Sequence, residues 1–549
     1  MRSVCAIAIA ALALGACPAH GPQQIGTQPS WRQPALATPA AAPVTFAPSS
    51  EPAAYYNEAL TAPPPSALGD AVVAEVARAA RNAGIPAPLA DARLFRACAQ
   101  LAEVVPEEGI VAYSLVEFAL HRNGIIEPSP HLLVVWGDID SPAAIVEQLA
   151  PRLAEIFADG ATARVGIGAV KRMPDGSGAV VFALQASAVS TAPIPRALPA
   201  GGSFELDAVV DAAYRSPEVF ITRDSGVTER LALAVGRSGG FRTTVACKAA
   251  TGRQQVEITA SDAKGSTVLA NFPIYCGTAP PPSLTVEPSL DDAPISDPAA
   301  AEQRLFALVN RDRTAAGLPA LQWDPRAAEV ARGHSEEMRA TKVVAHISPR
   351  TGSAADRVRV AGIKTAVVLE NVARAYGIGE AHEGLMNSPG HRANILALAA
   401  TNLGVGVVYG EEVSGRREIF VTQVFTRVPP KLDPVAAVEA IRAKVNAVQH
   451  VAVVPKLSAI AQELATQLAA GKSRDQAYPA VKREVDLLGA TYARVGSVIT
   501  AAGDLDTLEG SAILGDAHPD DIGIGVAQGM HPEIGEGAIW IVVLLADRR

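Results

Sequence analysis

"NLGVGVVYG", residues 402–410, followed by "EIFVTQVFTR" at 418–427, is the pair of segments on which the fold turns. Valine, leucine and two closely spaced glycines make one extended run, and a polar turn leads into a second apolar run. Neighbouring β-strands read this way. The same order occurs twice more: "RVGIGAV" (164–170) before "GAVVFALQAS" (178–187), and "DIGIGVAQG" (521–529) before "AIWIVVLLADR" (538–548). Each pair lies downstream of a segment with helical period: "LFRACAQLAEV" (94–104), "AAEVARGHSEEMRA" (327–340) and "LSAIAQELATQLAA" (457–470). A single Gly-x-Gly ahead of a strand is common. Three in one order predict three related α+β domains.

Residues 190–276 read differently. Short alternating runs such as "EVFITRD", "RTTVAC" and "QQVEITASD" are separated by "RSGG", "ATGR" and "DAKGS". This is the pattern of an all-β, immunoglobulin-like sandwich. Pro-rich sequence at 277–297 then reads as a linker. The expected organisation is multidomain. An α+β domain spans 67–189, the β-sandwich 190–276, a second α+β domain 298–430 and a third 431–549. A chain of 549 residues is too long for one core.

At the N-terminus, "MRSVCAIAIAALALGAC" has a basic residue, a short apolar run and Leu14-Gly15-Ala16-Cys17. The layout is that of a secretory signal over 1–17, and its end resembles a bacterial lipobox, which implies lipidation at Cys17. Residues 18–66, rich in Pro and Ala, read as a disordered stalk. Pro18 after Cys17 lacks the acidic residue that resembles an inner-membrane retention signal. The expected location is therefore extracytoplasmic, lipid-anchored to a bacterial membrane, with the outer membrane preferred. Export permits a disulfide between Cys247 and Cys276, both in strand-like runs. Cys98, at helical spacing with Phe95 and Leu101, reads as a core thiol. The net charge of −9 comes without a Lys/Arg-dense block, which argues against a nucleic-acid partner.

Five blocks between 298 and 430 carry a resemblance. "LVNRDRTAAGLPALQWDPRAAEVARGHSEEM", "AHISP", "LENVA", "MNSPGHRANIL" and "LGVGVV" resemble, in order, those of the CAP superfamily, also called SCP or PR-1-like. The resemblance implies an α-β-α sandwich with a central antiparallel sheet, and it extends to the flanking copies as degenerate scaffolds only. It also implies a groove with two histidines and acidic residues able to hold a divalent cation, Zn or Mg. His346, Glu370 and His391 match the motif positions. Imidazoles are common ligands for such ions, and a carboxylate can orient a ring or take a proton.

The family's further groove glutamate is not matched. Its position falls near Ser388, and the tryptophan that spaces it is Leu385. Glu380 and Glu383, one turn upstream, are the acidic candidates for the groove. His382 stands where an apolar residue is usual. His334, in register with Ala331 and Met338, reads as a core residue bonded to a loop. Ser388 is placed to cap the helix that follows it.

Two functional classes follow, with a third behind them. The preferred one is a surface-anchored module that binds a lipid, a cell-wall fragment or an extracellular protein in the middle groove. The alternative is a hydrolase using His346, His391 and Glu370, directly or through a metal. An envelope protein with a structural or adhesive role is the third. The Gly-x-Ser-x-Gly spacing at 236–240 ("GRSGG") falls in a turn between strand-like runs and not between a strand and a helix, so it does not read as a nucleophile elbow, and Ser335 and Ser348 are merely neighbours of histidines in sequence.

Overall fold

The structure is a computed structural model. It describes residues 43–549 except 62–64, 107–110, 160–161, 237–238, 249–250, 288–294, 364, 366, 414–415, 428–430, 504, 506–507 and 533–534. The signal segment, Cys17 and the first part of the expected stalk lie outside the described residues.

The first unit runs α1 (Ala67–Ala83), β1 (Leu89–Ala90), α2 (Ala92–Val104), α3 (Tyr113–Arg122), β2 (His131–Asp138), α4 (Pro142–Asp159), β3 (Arg164–Lys171) and β4 (Ser177–Gln185). Its sheet has the order β1-β3-β4-β2, with β1 parallel to β3 and the other pairs antiparallel. Val72 and Val76 of α1 and Leu149 and Leu153 of α4 bury one face of the sheet. Leu94, Cys98 and Leu101 of α2, with Leu120 of α3, bury the other. Burial pushes the Cys98 thiol up, so it stays protonated and inert.

Besides the short strand Ile194–Pro195, the described residues that follow form β5 (Val189–Thr191), β6 (Ala197–Leu198), β7 (Ser203–Val210), β8 (Arg215–Thr222), β9 (Thr228–Arg230), β10 (Ala234–Val235), β11 (Gly240–Ala246), β12 (Gly252–Asp262) and β13 (Gly265–Cys276). They form two sheets, β10-β11-β7-β5 and β9-β8-β12-β13-β6. One shared core, including Leu206, Phe241, Val256, Ile258 and Phe272, lies between them. A disulfide joins Cys247 to Cys276, with Cα atoms 5.5 Å apart.

The middle unit comprises α5 (Pro298–Ala315), β14 (Gln322–Trp323), α6 (Pro325–Thr341), α7 (Ala354–Val360), β15 (Val368–Ala375), α8 (Ile378–Asn387), α9 (Pro389–Ile395), β16 (Asn402–Val413) and β17 (Arg416–Thr426). The last unit comprises α10 (Pro434–Val448), β18 (Ala452–Val453), α11 (Pro455–Ala469), β19 (Tyr492–Ala502), β20 (Asp521–His531) and β21 (Gly535–Arg548), with short helices at Lys482–Leu488 and Gly510–Leu514. Their sheets, β14-β16-β17-β15 and β18-β20-β21-β19, repeat the order and the strand directions of the first unit.

The recurring glycines have one physical cause. A Cβ on Gly404 would fall 2.1 Å from Ala328 N, and one on Gly406 would fall 2.2 Å from Arg332 N, both on α6. Gly166 and Gly168 meet α2 in the same way, at 2.5 Å from Leu94 C and 2.0 Å from Ala99 N. Gly523 and Gly525 meet α11 at 2.2 Å from Leu457 C and Ala461 C. In each unit the helix backbone lies directly on the strand, and no side chain fits between them.

The expected boundaries need two corrections. Residues within the expected stalk form paired strands: Val44–Phe46 pairs with Leu284–Val286, and Tyr55–Tyr56 pairs with Ile194–Pro195. Phe46 and Tyr56 are 1% and 0% exposed, and Tyr56 donates to Pro273 O at 2.7 Å. Two buried aromatics offset the ordering of this short segment, which composition alone argued against. For the same reason the Pro-rich linker is interrupted by a paired strand at Leu284–Val286.

Candidate functional site

His346 sits in the loop after α6. That helix is started by Asp324, whose carboxylate accepts from the N–H groups of Arg326 and Ala327 at 2.9 and 3.1 Å. Glu370 is on β15 and 7% exposed. His391 is on α9, whose start is set by Pro389 at its first turn. α9 is fastened to β15 by two amides. Asn394 Nδ2 donates to Glu370 O at 3.1 Å and Asn371 Oδ1 at 2.9 Å, and Asn371 Nδ2 donates to His391 O at 3.2 Å. These bonds bring the three motif residues together. The two imidazoles stack with ring centroids 6.4 Å apart and planes inclined by 28°.

Glu370 does not face an open coordination position. Its Oε1 accepts from His346 Nδ1 at 3.0 Å, and its Oε2 accepts from the buried Arg357 guanidinium. Burial by itself would raise this carboxyl, but His346 and Arg357 outweigh it and hold it below the usual range. Arg357 also donates to Gly352 O at 2.6 Å and to His346 O at 3.2 Å, so it braces the loop that carries the histidine. Glu370 thus orients the His346 ring.

His391 is oriented by Ser388 of its own motif, which is held in turn by a residue that the motifs do not contain. Its Nδ1 donates to Ser388 Oγ at 2.8 Å, and Ser388 Oγ donates to Glu257 Oε2. Glu257 lies on β12 of the two-sheet region, is 0% exposed, and also accepts from Gly390 N at 2.8 Å. Burial raises its pKa to about 7 against the hydrogen bonds from Ser388 and Gly390. Ser388 does not cap α9 as expected, because its hydroxyl is turned to Glu257. Next to Ser388, where the groove's second glutamate was missing from the middle unit, a carboxylate arrives from another part of the chain. The turn after β12 reaches the site too: Lys264 O accepts from His346 N at 3.0 Å and Ile347 N at 2.8 Å.

Both rings donate from Nδ1, and this assignment follows from their acceptors. Their Nε2 lone pairs have no hydrogen-bond partner among the described residues. Burial, with the neighbouring His346, pushes the His391 pKa down to about 3, so this ring is neutral at any ordinary pH. Two bare imidazole nitrogens suit zinc or a similar borderline ion better than magnesium, which prefers oxygen. Among the described residues, no group of three His, Cys, Asp or Glu side chains is placed to hold one ion. A cation here would complete its coordination with water or ligand oxygens.

The remaining candidates fall elsewhere. Glu380 and Glu383 do not enter the groove. Helix α8 buries Ile378, Ala381, His382 and Leu385, and its two glutamates face a different cavity. The Glu380 carboxylate also accepts from Tyr376 N at 2.9 Å. His382 is tied through Nε2 to Asp312 Oδ2 at 2.7 Å, which explains a histidine at an apolar position. His334 is 2% exposed and bonds Ala345 O at 2.8 Å, a core arrangement.

No activated serine emerges from the three beside the histidines. Ser335 Oγ is shared between Gly406 O and Thr422 Oγ1, and Ser348 Oγ donates to Glu337 at 2.5 Å. In the His391–Ser388–Glu257 chain the serine stands between the histidine and the acid. A nucleophilic triad needs the histidine in the middle.

Comparison with known proteins agrees with the middle unit. Residues 306–425 match the model of the family described as "CAP: Cysteine-rich secretory protein family". An uncharacterized membrane protein, YlbC, of Bacillus subtilis (strain 168) is 41% identical over 107 residues, 19% of this chain and 31% of its own. The uncharacterized protein YkwD of the same organism is 36% identical over 114 residues, 21% of this chain and 44% of its own. The chain thus spans less than half the length of these curated relatives. Among solved structures, an extracellular SCP-domain protein from Bacillus anthracis str. Ames is 26% identical, covering 32% of this chain and 64% of its own with a TM-score of 0.22. An outer surface protein from Borrelia burgdorferi is 16% identical, covering 24% and 96% with a TM-score of 0.22. The stretch that holds His346, Glu370 and His391 is a CAP domain, matched over residues 306–425.

Proposed function

We propose that this is an extracytoplasmic, lipid-anchored protein whose CAP domain binds a lipid or cell-wall fragment at the His346–His391 groove, with a divalent cation shared by the two Nε2 atoms. The observation that carries the reading is the pair of rings fixed in one tautomer. Glu370 accepts the Nδ1–H of His346 and Ser388 that of His391, so each ring keeps its proton there and offers a lone pair at Nε2. The neutral state of His391 favours ligation, since no proton has to leave first. Ser335, Ser348 and Ser388 are all committed to other partners, which favours binding over a serine-based hydrolase. Leu14-Gly15-Ala16-Cys17 supports the anchor, and Pro18 the outer membrane. Among the described residues no helix is long and apolar enough to cross a membrane.

The shared sheet order supports reading the first and last units as degenerate copies of the CAP scaffold. The two facing sheets support an immunoglobulin-like module between the first and middle units. The test of the groove is zinc titration by calorimetry on the full chain, because Glu257 and Lys264 belong to the site. Binding at micromolar Kd, lost in His346→Ala and in His391→Ala and kept in Glu380→Ala, is the expected result. No heat in the wild type sinks the cation and leaves direct ligand binding to be assayed with lipid vesicles and cell-wall fragments.

A further inference from the structure

A second cavity, of about 850 Å³, opens where the first unit, the two-sheet region and the CAP domain meet. Its size is within the range of small-molecule sites. None of His346, Glu370, Ser388 and His391 lines it. Helix α3 contributes Tyr113 and Glu117, β12 contributes Arg253, and Leu284, Val286 and Met386 supply an apolar wall.

Two charged groups there are incompletely matched. Glu117 is 5% exposed, and its Oε1 accepts from Ser129 Oγ at 2.8 Å, but its Oε2 has no hydrogen-bond partner among the described residues. His121 Nε2 is 3.5 Å from that oxygen and bonds Asn271 O at 2.9 Å instead. A buried carboxylate with a bare oxygen on a cavity wall is costly unless something else completes it. Arg253 is exposed to the cavity, and its Nη2 donates to two neutral acceptors, Gln255 Oε1 at 2.7 Å and Asn387 Oδ1 at 3.0 Å. Among the described residues it forms no ion pair with a carboxylate, although its charge acts on Glu117 through space. The site therefore offers a fork for an anion at its surface and, just beneath the wall beside Tyr113, an acceptor for a cation, with apolar surface beside them.

We propose that this interdomain cavity binds a small zwitterion of the amino-acid or short-peptide class, its carboxylate on Arg253 and its ammonium on Glu117. The apolar wall takes the side chains, and the volume leaves room for more than one residue. Tyr113 and His121 on α3, Arg253 on β12 and Glu383 on α8 are the ionisable groups that face Glu117. Burial raises Glu117 to about 7, while His121, buried beside it, is pushed down to about 3 and stays neutral. An ammonium prefers the ionised carboxylate, so binding strengthens as pH rises from about 6 to 8.

Calorimetry on the full chain tests this, with alanine, alanyl-alanine, N-acetyl-alanyl-alanine and alanyl-alanine amide as probes. The expected result is millimolar or tighter binding of a free zwitterion, at least tenfold weaker for both blocked dipeptides. Glu117→Gln and Arg253→Gln each weaken it at least tenfold, and Glu117→Gln also removes the pH dependence. Arg253 is exposed, so its variant keeps the test valid if Glu117→Gln fails to fold. Alanine binding as tightly as the dipeptide assigns the site to free amino acids, and a tighter dipeptide assigns it to peptide ends. Equal binding of the blocked dipeptides, or no heat from either zwitterion up to roughly 10 mM, overturns the proposal.

Discussion

Gly404 on β16 pairs with Val424 on β17, which pairs with Glu370 on β15. In the first unit the same walk across the sheet runs Gly166, Ala183, Leu132, and in the last it runs Gly523, Leu544, Ser497. The strand order, the directions and the glycine under the helix are the same. The residue at the end of the walk is a buried carboxylate in one unit, a leucine in another and an exposed serine in the third. The difference teaches that scaffold and site are specified separately. Helix-on-strand contact demands glycine wherever the sheet occurs. Nothing in the sheet demands Glu370, whose partners Arg357 and His346 lie in loops and helices that the other units replace.

The hardest blow to this comparison is aimed at what the units share. Gly406→Val places side-chain atoms inside the backbone of α6, beyond the ~1–3 kcal/mol of ordinary overpacking. We expect loss of the CAP domain's cooperative unfolding transition in urea, with matching losses in the other units for Gly168→Val and Gly525→Val. A mild effect in any one unit would show that its helix is free to lift and that the likeness is superficial. A smaller effect is expected where the units differ. Glu370→Leu, which copies the first unit, strands the Arg357 charge in a buried place. It should cost about 3 kcal/mol in urea unfolding, whereas a cost below ~1 kcal/mol would mean the ion pair is dispensable. The smallest perturbation is a proton. His391 in the unfolded chain takes one near pH 6.5, whereas in the fold it takes one near about 3, so its contribution to stability is complete above 6.5 and fades as pH falls between these values. By NMR its ring protons should show no titration between about pH 5 and 8. A midpoint near 6.5 would mean that Ser388 and Glu257 do not enclose it.

Much of this was legible in the sequence. The Gly-x-Gly strands and their apolar partners announced three sheets, and the glycine spacing turned out to mark backbone contact with a helix. His346, Glu370 and His391 could be singled out because each stands in a distinctive local motif. Glu257 could not. In "QQVEITAS" the alternation puts Gln255, Glu257 and Thr259 on the face away from the sandwich core, which reads as a solvent face. Helix α9 packs on that face through Ser388 and Gly390, and Gln255, Glu257 and Thr259 are all buried. Periodicity tells which face a residue is on, and it does not tell what will cover that face. Glu380 and Glu383 failed in the opposite sense, because nearness to His391 in sequence outweighed the helical period that turns them away. The ordered segment at 44–56 was hidden by its composition, with Phe46 and Tyr56 the sole cues.

That segment also sets a schedule. Thr45 Oγ1 bonds Thr285 Oγ1 across 240 residues of chain. During synthesis at ~5–20 residues per second, Val44–Phe46 must wait roughly 10–50 s for the strand it pairs with to be made. Until then Phe46 has no wall of Leu284 and Val286 to lie against. The strand Val44–Phe46 is therefore paired well after Ala53 and Asn57 can be fastened, since their N–H groups bond Arg122 O and Gly124 O of the first unit.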